Sequence, residues 1–311
     1  MIIETFSEFT YGFALTNEIV GWTAFSCAPI FPNLVEEGKK GGGYDVKLQR
    51  PGFALYLQFK RADYMTRSSA REISKFGADL KTPFHRFNII DGAKSNQHEL
   101  LLALDETADL VFYAAPRFYS KVEIDAAWKE NTTASRSIFV APSNIGQLDD
   151  GPHTVAYDPS TAWVCSEPKP LKVFDSLALM EALQSRLKSD DRPLSEKIPE
   201  INANMDNAIR LAELRAEERD RRRRDAAVVN KSLSEDILHV EVRSLLRESL
   251  IPRGEPLLET EREPPFEPPA VPSIPTRRPS DLSEPERQLR ESADKAAQVF
   301  GAQMIVIQPN A

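Results

Sequence analysis

Cysteine is nearly absent from this 311-residue chain. Its two cysteines, Cys27 and Cys165, form neither a metal-ligand spacing nor a disulfide framework, and a reducing, cytoplasmic setting fits such a chain. Histidine is scarce too. None of His85, His98, His153 and His239 stands at ligand spacing from another histidine or a cysteine, which argues against a zinc site. No apolar run approaches the roughly 18 residues that span a bilayer, so no membrane partner is expected. The start, Met1-Ile2-Ile3-Glu4, lacks the basic region that opens a signal peptide. Positive charge is not in excess: the net charge of −8 gives no global attraction to nucleic acid. Gly41-Gly42-Gly43 is not followed by the Gly-Lys-Ser/Thr of a phosphate-binding loop, and no serine-hydrolase elbow is present.

What the chain does have is enough apolar material for a core, at 41% hydrophobic and 28% charged residues, and length for one large or two ordinary domains. Its charge is unevenly placed. Residues 46–90 hold nine Lys or Arg against three acids. That local excess suits a phosphate backbone and equally a solvated surface.

Along the chain, residues 7–22 read as a helix with Phe9, Phe13, Ile19 and Val20 on its apolar face, interrupted by Tyr11-Gly12. Residues 25–31 read as a strand. Val46–Leu48 and Phe53–Leu57, separated by the turn signal Pro51-Gly52, predict a hairpin. A helix over 67–80, a strand over 84–90, a helix capped by Ser95 and a strand over 110–116 follow. Residues 137–141 and 153–165 are expected to extend the sheet. Residues 173–187 form an amphipathic helix capped by Asp175, with Leu177, Met180, Leu183 and Leu187 on one side. From residue 193 the chain turns charged and helical. Ile201, Met205 and Ile209, then Leu238, Val242 and Leu246, are spaced to pack on another helix, and Arg221–Arg224 is a basic run within a mixed-charge stretch. Residues 252–285 carry ten of the 23 prolines and predict an extended or flexible segment. Ser283 then starts a helix through Leu289, Ala293 and Phe300, which Gly301 ends. Met304–Ile307 reads as a strand that buries itself against the core or a second copy of the chain. The expected division is a first α/β domain over 1–170, a charged helical region over 171–251, a linker over 252–285 and a terminal helix–strand element over 286–311.

The stretch that points to chemistry is Gly41-Gly42-Gly43-Tyr44-Asp45 with Gln58-Phe59-Lys60-Arg61. Side chains alternate along a strand, so Gln58 and Lys60 share a face and Phe59 points away. With Asp45 across the hairpin, a carboxylate, an amide oxygen and an ammonium converge. These two blocks resemble the motif of the PD-(D/E)xK nuclease superfamily, in the form carried by its Mrr-like restriction branch, over about the first 115 residues. Tyr44 stands where the family name has Pro, and Gln58 where it has an acid. The resemblance implies an α/β fold with a restriction-endonuclease-like αβββαβ core, a mixed sheet flanked by helices, and the predicted order of helix, three strands, helix and strand agrees with it.

The resemblance also implies a metal-dependent endonuclease acting on DNA, in restriction or anti-phage defence. Asp45, the Gln58 carbonyl oxygen and the Phe59 backbone carbonyl would hold Mg²⁺, or Mn²⁺ in its place. Lys60 would orient or deprotonate the attacking water and stabilise the developing charge. A Glu on the first helix often joins such sites. Glu18 resembles it, with Glu36 and Glu37 as competitors. Lys47, Arg61, Arg67 and Arg71 would contact nucleic acid. His98 would approach from the helix after Ser95, unless it is a satisfied capping-turn histidine. The C-terminal helices would pair two copies into a homodimer. The rival readings are a nucleic-acid-binding or interaction protein that keeps the fold without catalysis, and a scaffold built on the charged helices.

Overall fold

A computed structural model of the chain describes residues 5–30, 46–90, 92, 94–107, 110–149, 151–238 and 283–310, with the side chains of 226–238 excepted. Ser7 opens the first helix, α1 (Glu8–Val20), its hydroxyl accepting from the Thr10 amide at 3.0 Å. The inward face of α1 is Tyr11, Ala14, Leu15 and Ile19. Phe9 and Phe13, expected there, are exposed, and Phe13 stacks on Trp128 at the surface. Gly12 sets this rotation: an added Cβ would lie 2.5 Å from the Phe59 ring, so the glycine lets the helix sit directly on the sheet.

After β1 (Ser26–Ile30) the expected hairpin does not form as read. Residues 47–50 make a turn, with the Arg50 amide donating to the Lys47 carbonyl. Only the second arm is a strand, β2 (Phe53–Phe59). Next come β3 (Asp63–Met65) and α2 (Arg71–Ser74). The helix expected over 67–80 shrinks to α2 because Gly77, at φ +67°, turns the chain away. β4 (Phe84–Ile89), α3 (Gln97–Asp105) and β5 (Leu110–Pro116) follow as expected. The cap position of α3 is Asn96 and not Ser95, although the Ser95 hydroxyl accepts from the Gln97 amide just inside the helix at 3.2 Å. α4 (Lys121–Glu130), not read from the sequence, opens on a reciprocal Ser120–Glu123 capping box. The chain continues through β6 (Ser137–Val140), α5 (Pro142–Ile145), β7 (His153–Tyr157), β8 (Ala162–Val164) and β9 (Lys169–Pro170). Three helices, α6 (Ser176–Ser189), α7 (Leu194–Leu238) and α8 (Glu284–Gln298), precede the last strand, β10 (Gln303–Gln308). Pro285, counted with the linker, lies in the first turn of α8, where its missing N–H costs nothing.

The protein is α/β, with a mixed and an antiparallel sheet flanked by helices. The mixed sheet has the order β1-β10-β2-β5-β6, with β2 and β5 parallel and the other pairs antiparallel. The antiparallel sheet has the order β3-β4-β7-β8-β9. The strand beside β2 is therefore β10, from the far end of the chain, and not residues 46–48. Of the two destinations expected for the Met304–Ile307 strand, the chain's own core is the one seen, since β10 completes the mixed sheet. Leu194, Ile198, Ile201 and Met205 of α7 and Leu289, Ala293 and Ala296 of α8 are buried in the same core. The helix face expected to meet a second copy is thus spent within the chain. Lys295 pairs with Asp206 at 2.7 Å and Ser292 donates to Asn202 at 2.7 Å, fastening α8 to α7.

Residues 1–216 and 277–311 form one compact unit, and 217–276 a second. In the second unit three arginines of the basic run pair with acids along their own helix, Arg221 and Arg222 with Glu218 and Arg223 with Asp220. Leu238, Val242 and Leu246 fall outside the side chains described. No helix among the described residues is long and apolar enough to cross a membrane.

Candidate functional site

Alternation on β2 sorts its side chains as expected. Leu55, Leu57 and Phe59 pack toward α1 and α6, while Ala54 and Tyr56 face the core shared with α3, α7 and α8. Gln58 falls on that second face, and Lys60, just past the strand, extends it. β2 and β5 run parallel, with Gln58 opposite Tyr113, and the Lys60 amide continues the ladder to the Ala114 carbonyl at 2.9 Å. Gln58 and Lys60 thus sit at the carboxyl ends of two parallel strands, where α/β sheets commonly bind ligands.

Lys60 is only 6% exposed. Its ammonium lies over the Tyr113 ring, 5.6 Å from the centroid, and makes no ion pair with the described residues. Burial lowers its pKa, and the Glu8 carboxylate partly opposes that. Tyr113 is held in turn by His98, whose Nδ1 is 2.9 Å from the Tyr113 hydroxyl and whose Nε2 is 2.8 Å from the Gly146 carbonyl. A carbonyl only accepts, so Nε2 carries the proton, and in the neutral ring Nδ1 accepts from the tyrosine. His98 is therefore a buried support for the ring under Lys60, not a nucleic-acid contact.

Gln58 is also buried and committed. Its Nε2 donates to the Phe59 carbonyl at 3.3 Å, and its Oε1 accepts from Gln97 Nε2 at 3.4 Å. Gly301, at φ +62°, closes over this pair. A Cβ there would collide with Gln97 Nε2 and stand 3.2 Å from Gln58 Oε1. The glycine read as a helix terminator is also a wall of the site.

The acid on α1 that faces these residues is Glu8. Its carboxylate accepts from the Arg61 amide at 3.2 Å. Glu18 lies ten residues further along, about 15 Å of helix, and accepts from the Ala134 amide at 3.0 Å. Of these two acids on α1, the one that acts on Lys60 is Glu8. The cue for Glu8 was its place in the first turn after the Ser7 cap.

Asp45, Glu36 and Glu37 lie outside the described residues. Lys47 is exposed, and its backbone is clamped by Gln308, which accepts from the Lys47 amide and donates to its carbonyl, both at 2.9 Å. The same Gln308 amide reaches the Pro51 carbonyl at 3.2 Å. Lys47 is thereby fixed at the opposite end of β2 from Lys60, roughly 25–30 Å along the extended chain, and the two do not share a surface. Arg61, Arg67 and Arg71 are exposed, Arg71 resting over the Phe76 ring.

No family model, curated protein or solved structure matches the chain.

Among the described residues no cluster of three or more His, Cys, Asp or Glu could hold a metal. The oxygens near Lys60 are the Gln58 amide, the Phe59 carbonyl and the Glu8 carboxylate. They are hard donors of the kind Mg²⁺ takes, although Gln58 Oε1 already has a partner in Gln97. What the arrangement offers directly is a desolvated cation that makes no ion pair among the described residues and feels only the Glu8 carboxylate, at the mouth of a parallel strand pair. Such a group favours an anion.

Proposed function

We propose that the chain is a metal-dependent endonuclease of restriction-endonuclease-like fold that hydrolyses phosphodiester bonds in DNA. The observation that carries this reading is Lys60: buried, without an ion pair among the described residues, and on one face with Gln58 at the end of β2. A phosphodiester would supply the missing negative charge. Asp45, Gln58 Oε1 and the Phe59 carbonyl would hold Mg²⁺ or Mn²⁺, with Glu8 in the role first given to Glu18. When bound, the ion would polarise the phosphate and lower the pKa of a water. Lys60 would hold the phosphate oxygen, and its lowered pKa brings it closer to accepting the proton of that water. His98 and Tyr113 would keep the ammonium in place. A role in restriction or anti-phage defence rests on the family resemblance alone, and so does action as a homodimer.

The test is cleavage of plasmid, linear duplex and single-stranded DNA with and without Mg²⁺, by the wild type, Asp45→Ala and Lys60→Ala. Mg²⁺-dependent cleavage lost in both variants is the expected result. Full cleavage by folded Lys60→Ala would overturn the reading. One observation favours a second reading, nucleic-acid binding without catalysis: Gln97 occupies the Gln58 oxygen that would ligate the metal. DNA binding undiminished by chelator, with no Mg²⁺ uptake in calorimetry, would select it.

A further inference from the structure

Two residues past the Lys60 level on β5, the chain places a second cation that makes no ion pair among the described residues. Arg117 follows β5 directly, and its Nε is buried without a hydrogen-bond partner among the described residues. It makes no ion pair with them either. Glu123, the acid nearest in sequence, is otherwise engaged: it accepts from the Tyr119 and Ser120 amides and the Ser120 hydroxyl, and stands 3.9 Å from Arg136. A buried guanidinium donor left unmet is costly, and an oxyanion would meet it. Extending the register in which Phe59 faces Ala114 puts Lys60 beside Ala115. Arg117 is two residues further on and, by alternation, on the same face. The Cα atoms of the two cations are then about 8 Å apart, close to the spacing of successive phosphates on a nucleic-acid strand.

Beside Arg117 stands a ladder of rings. Tyr119 and Tyr64 stack in parallel, with centroids 4.5 Å apart and planes 3° apart. Tyr64 meets His85, and His85 meets Tyr157. The inner end is fixed, because Tyr157 is fully buried and its hydroxyl donates to the Pro116 carbonyl at 2.6 Å. The outer end, Tyr119, is half-buried and meets no further ring among the described residues. A rigid aromatic face next to an unmet cation is the pairing that proteins use to hold single-stranded nucleic acid, phosphate on the cation and base on the ring. Within a duplex both faces of a base are covered by its neighbours, so such a platform selects for bases that are unpaired.

We propose that Arg117 and the Tyr64–Tyr119 stack form a binding site for unpaired nucleic acid that feeds the strand toward Lys60. This rests on the phosphodiester reading for the polymer's identity, and it adds the substrate class: single strands, or duplexes with a splayed base.

The test is fluorescence anisotropy with the full chain in EDTA. The probes are a labelled oligo(dT) of about 15 nucleotides and its duplex with oligo(dA). Expected are binding of the single strand at least about tenfold tighter than the duplex, a loss of about tenfold on the single strand in Tyr119→Ala, and no loss in Tyr119→Phe, which keeps the ring. Arg117→Gln should weaken binding and lower the salt slope by about 0.7, the value for one phosphate on a single strand. Equal affinity for both probes, or wild-type affinity of Tyr119→Ala for the single strand, overturns the proposal. If circular dichroism shows Tyr119→Ala unfolded, Arg117→Gln decides, and an unchanged salt slope overturns it. Mg²⁺-dependent cleavage is scored separately. Cleavage with none of these binding effects removes this site and leaves the nuclease reading. The binding effects without cleavage leave the site and remove the nuclease.

Discussion

Lys60 carries a stability cost that its chemistry explains. Its pKa is lowered by burial from the usual 10.5, so in the window below 10.5 the unfolded chain binds the proton more readily than the folded one. Stability therefore rises as pH climbs through the folded-state pKa toward 10.5. Replacing Lys60 by Met should raise the melting temperature at pH 7 while abolishing cleavage, and the variant's advantage should narrow as pH approaches 10. An advantage independent of pH would show that the lysine is not titrating in a desolvated site. His85 makes the matching prediction at acid pH. Burial depresses it from 6.5 to about 4, with Glu123 opposing and Arg117 and Arg136 reinforcing. The folded state then loses stability as pH falls from about 6.5 to about 4, and urea melts of His85→Phe should lack that loss. At this scale the sequence read Gln58 and Lys60 well, because strand alternation is a local rule. It did not separate Glu8 from Glu18, because which turn of a helix faces a strand end depends on packing that spacing does not encode.

Among the elements, α1 and β2 meet through one absent side chain. Gly12 lies against the Phe59 ring, and Tyr11 meets that ring edge-on at 6.1 Å. Gly12→Ala should cost about 1–3 kcal/mol through overpacking, read as a lower urea midpoint. Phe59→Leu in the same chain should recover part of it. If Gly12→Ala alone melts like the wild type, the helix does not sit as close as the structure has it. In the sequence Gly12 counted only as a helix interruption, since a glycine's steric purpose is visible only with its neighbour. α4 was missed for a different reason. Its start signal, Ser120 with Glu123 three residues on, was legible, but its two-sided pattern, with Val122 exposed and Ile124 buried, hid the apolar stripe. α6 was placed correctly by the Asp175 cap, whose carboxylate accepts from the Ala178 amide at 2.8 Å. Its buried stripe, however, is Leu179 and Leu183, with Leu177 left exposed.

For the whole molecule, the apolar face at Ile201, Met205 and Ile209 was read as packing on another helix, and the structure packs it into the chain's own core. A chain ended at residue 189 lacks β10, which lies between β1 and β2, and the buried faces of α7 and α8. It is expected to be unfolded or insoluble by circular dichroism and size exclusion. A chain of residues 1–238 mixed with a peptide of residues 277–311 is expected to recover the wild-type far-ultraviolet signal. A folded, monodisperse 1–189 fragment would refute this. The strand signal of Met304–Ile307 was plain in the sequence. Its destination was not, because pairing partners 250 residues apart leave no local mark, and Gly301 revealed its second role only when set against Gln58 and Gln97.

That placement of β10 has a consequence for how the protein is made. Synthesis runs from the amino end, and domains usually begin folding as they emerge from the ribosome. Here the gap between β1 and β2 is filled by β10, which is translated long after both. Loops of this length must close before their contacts repay the entropy. A nascent chain that has not reached residue 303 therefore carries β1 and β2 without the strand that lies between them. The wall that Gly301 gives to Gln58 arrives with this late segment, so a polypeptide stopped before residue 301 carries Gln58 and Lys60 without that wall.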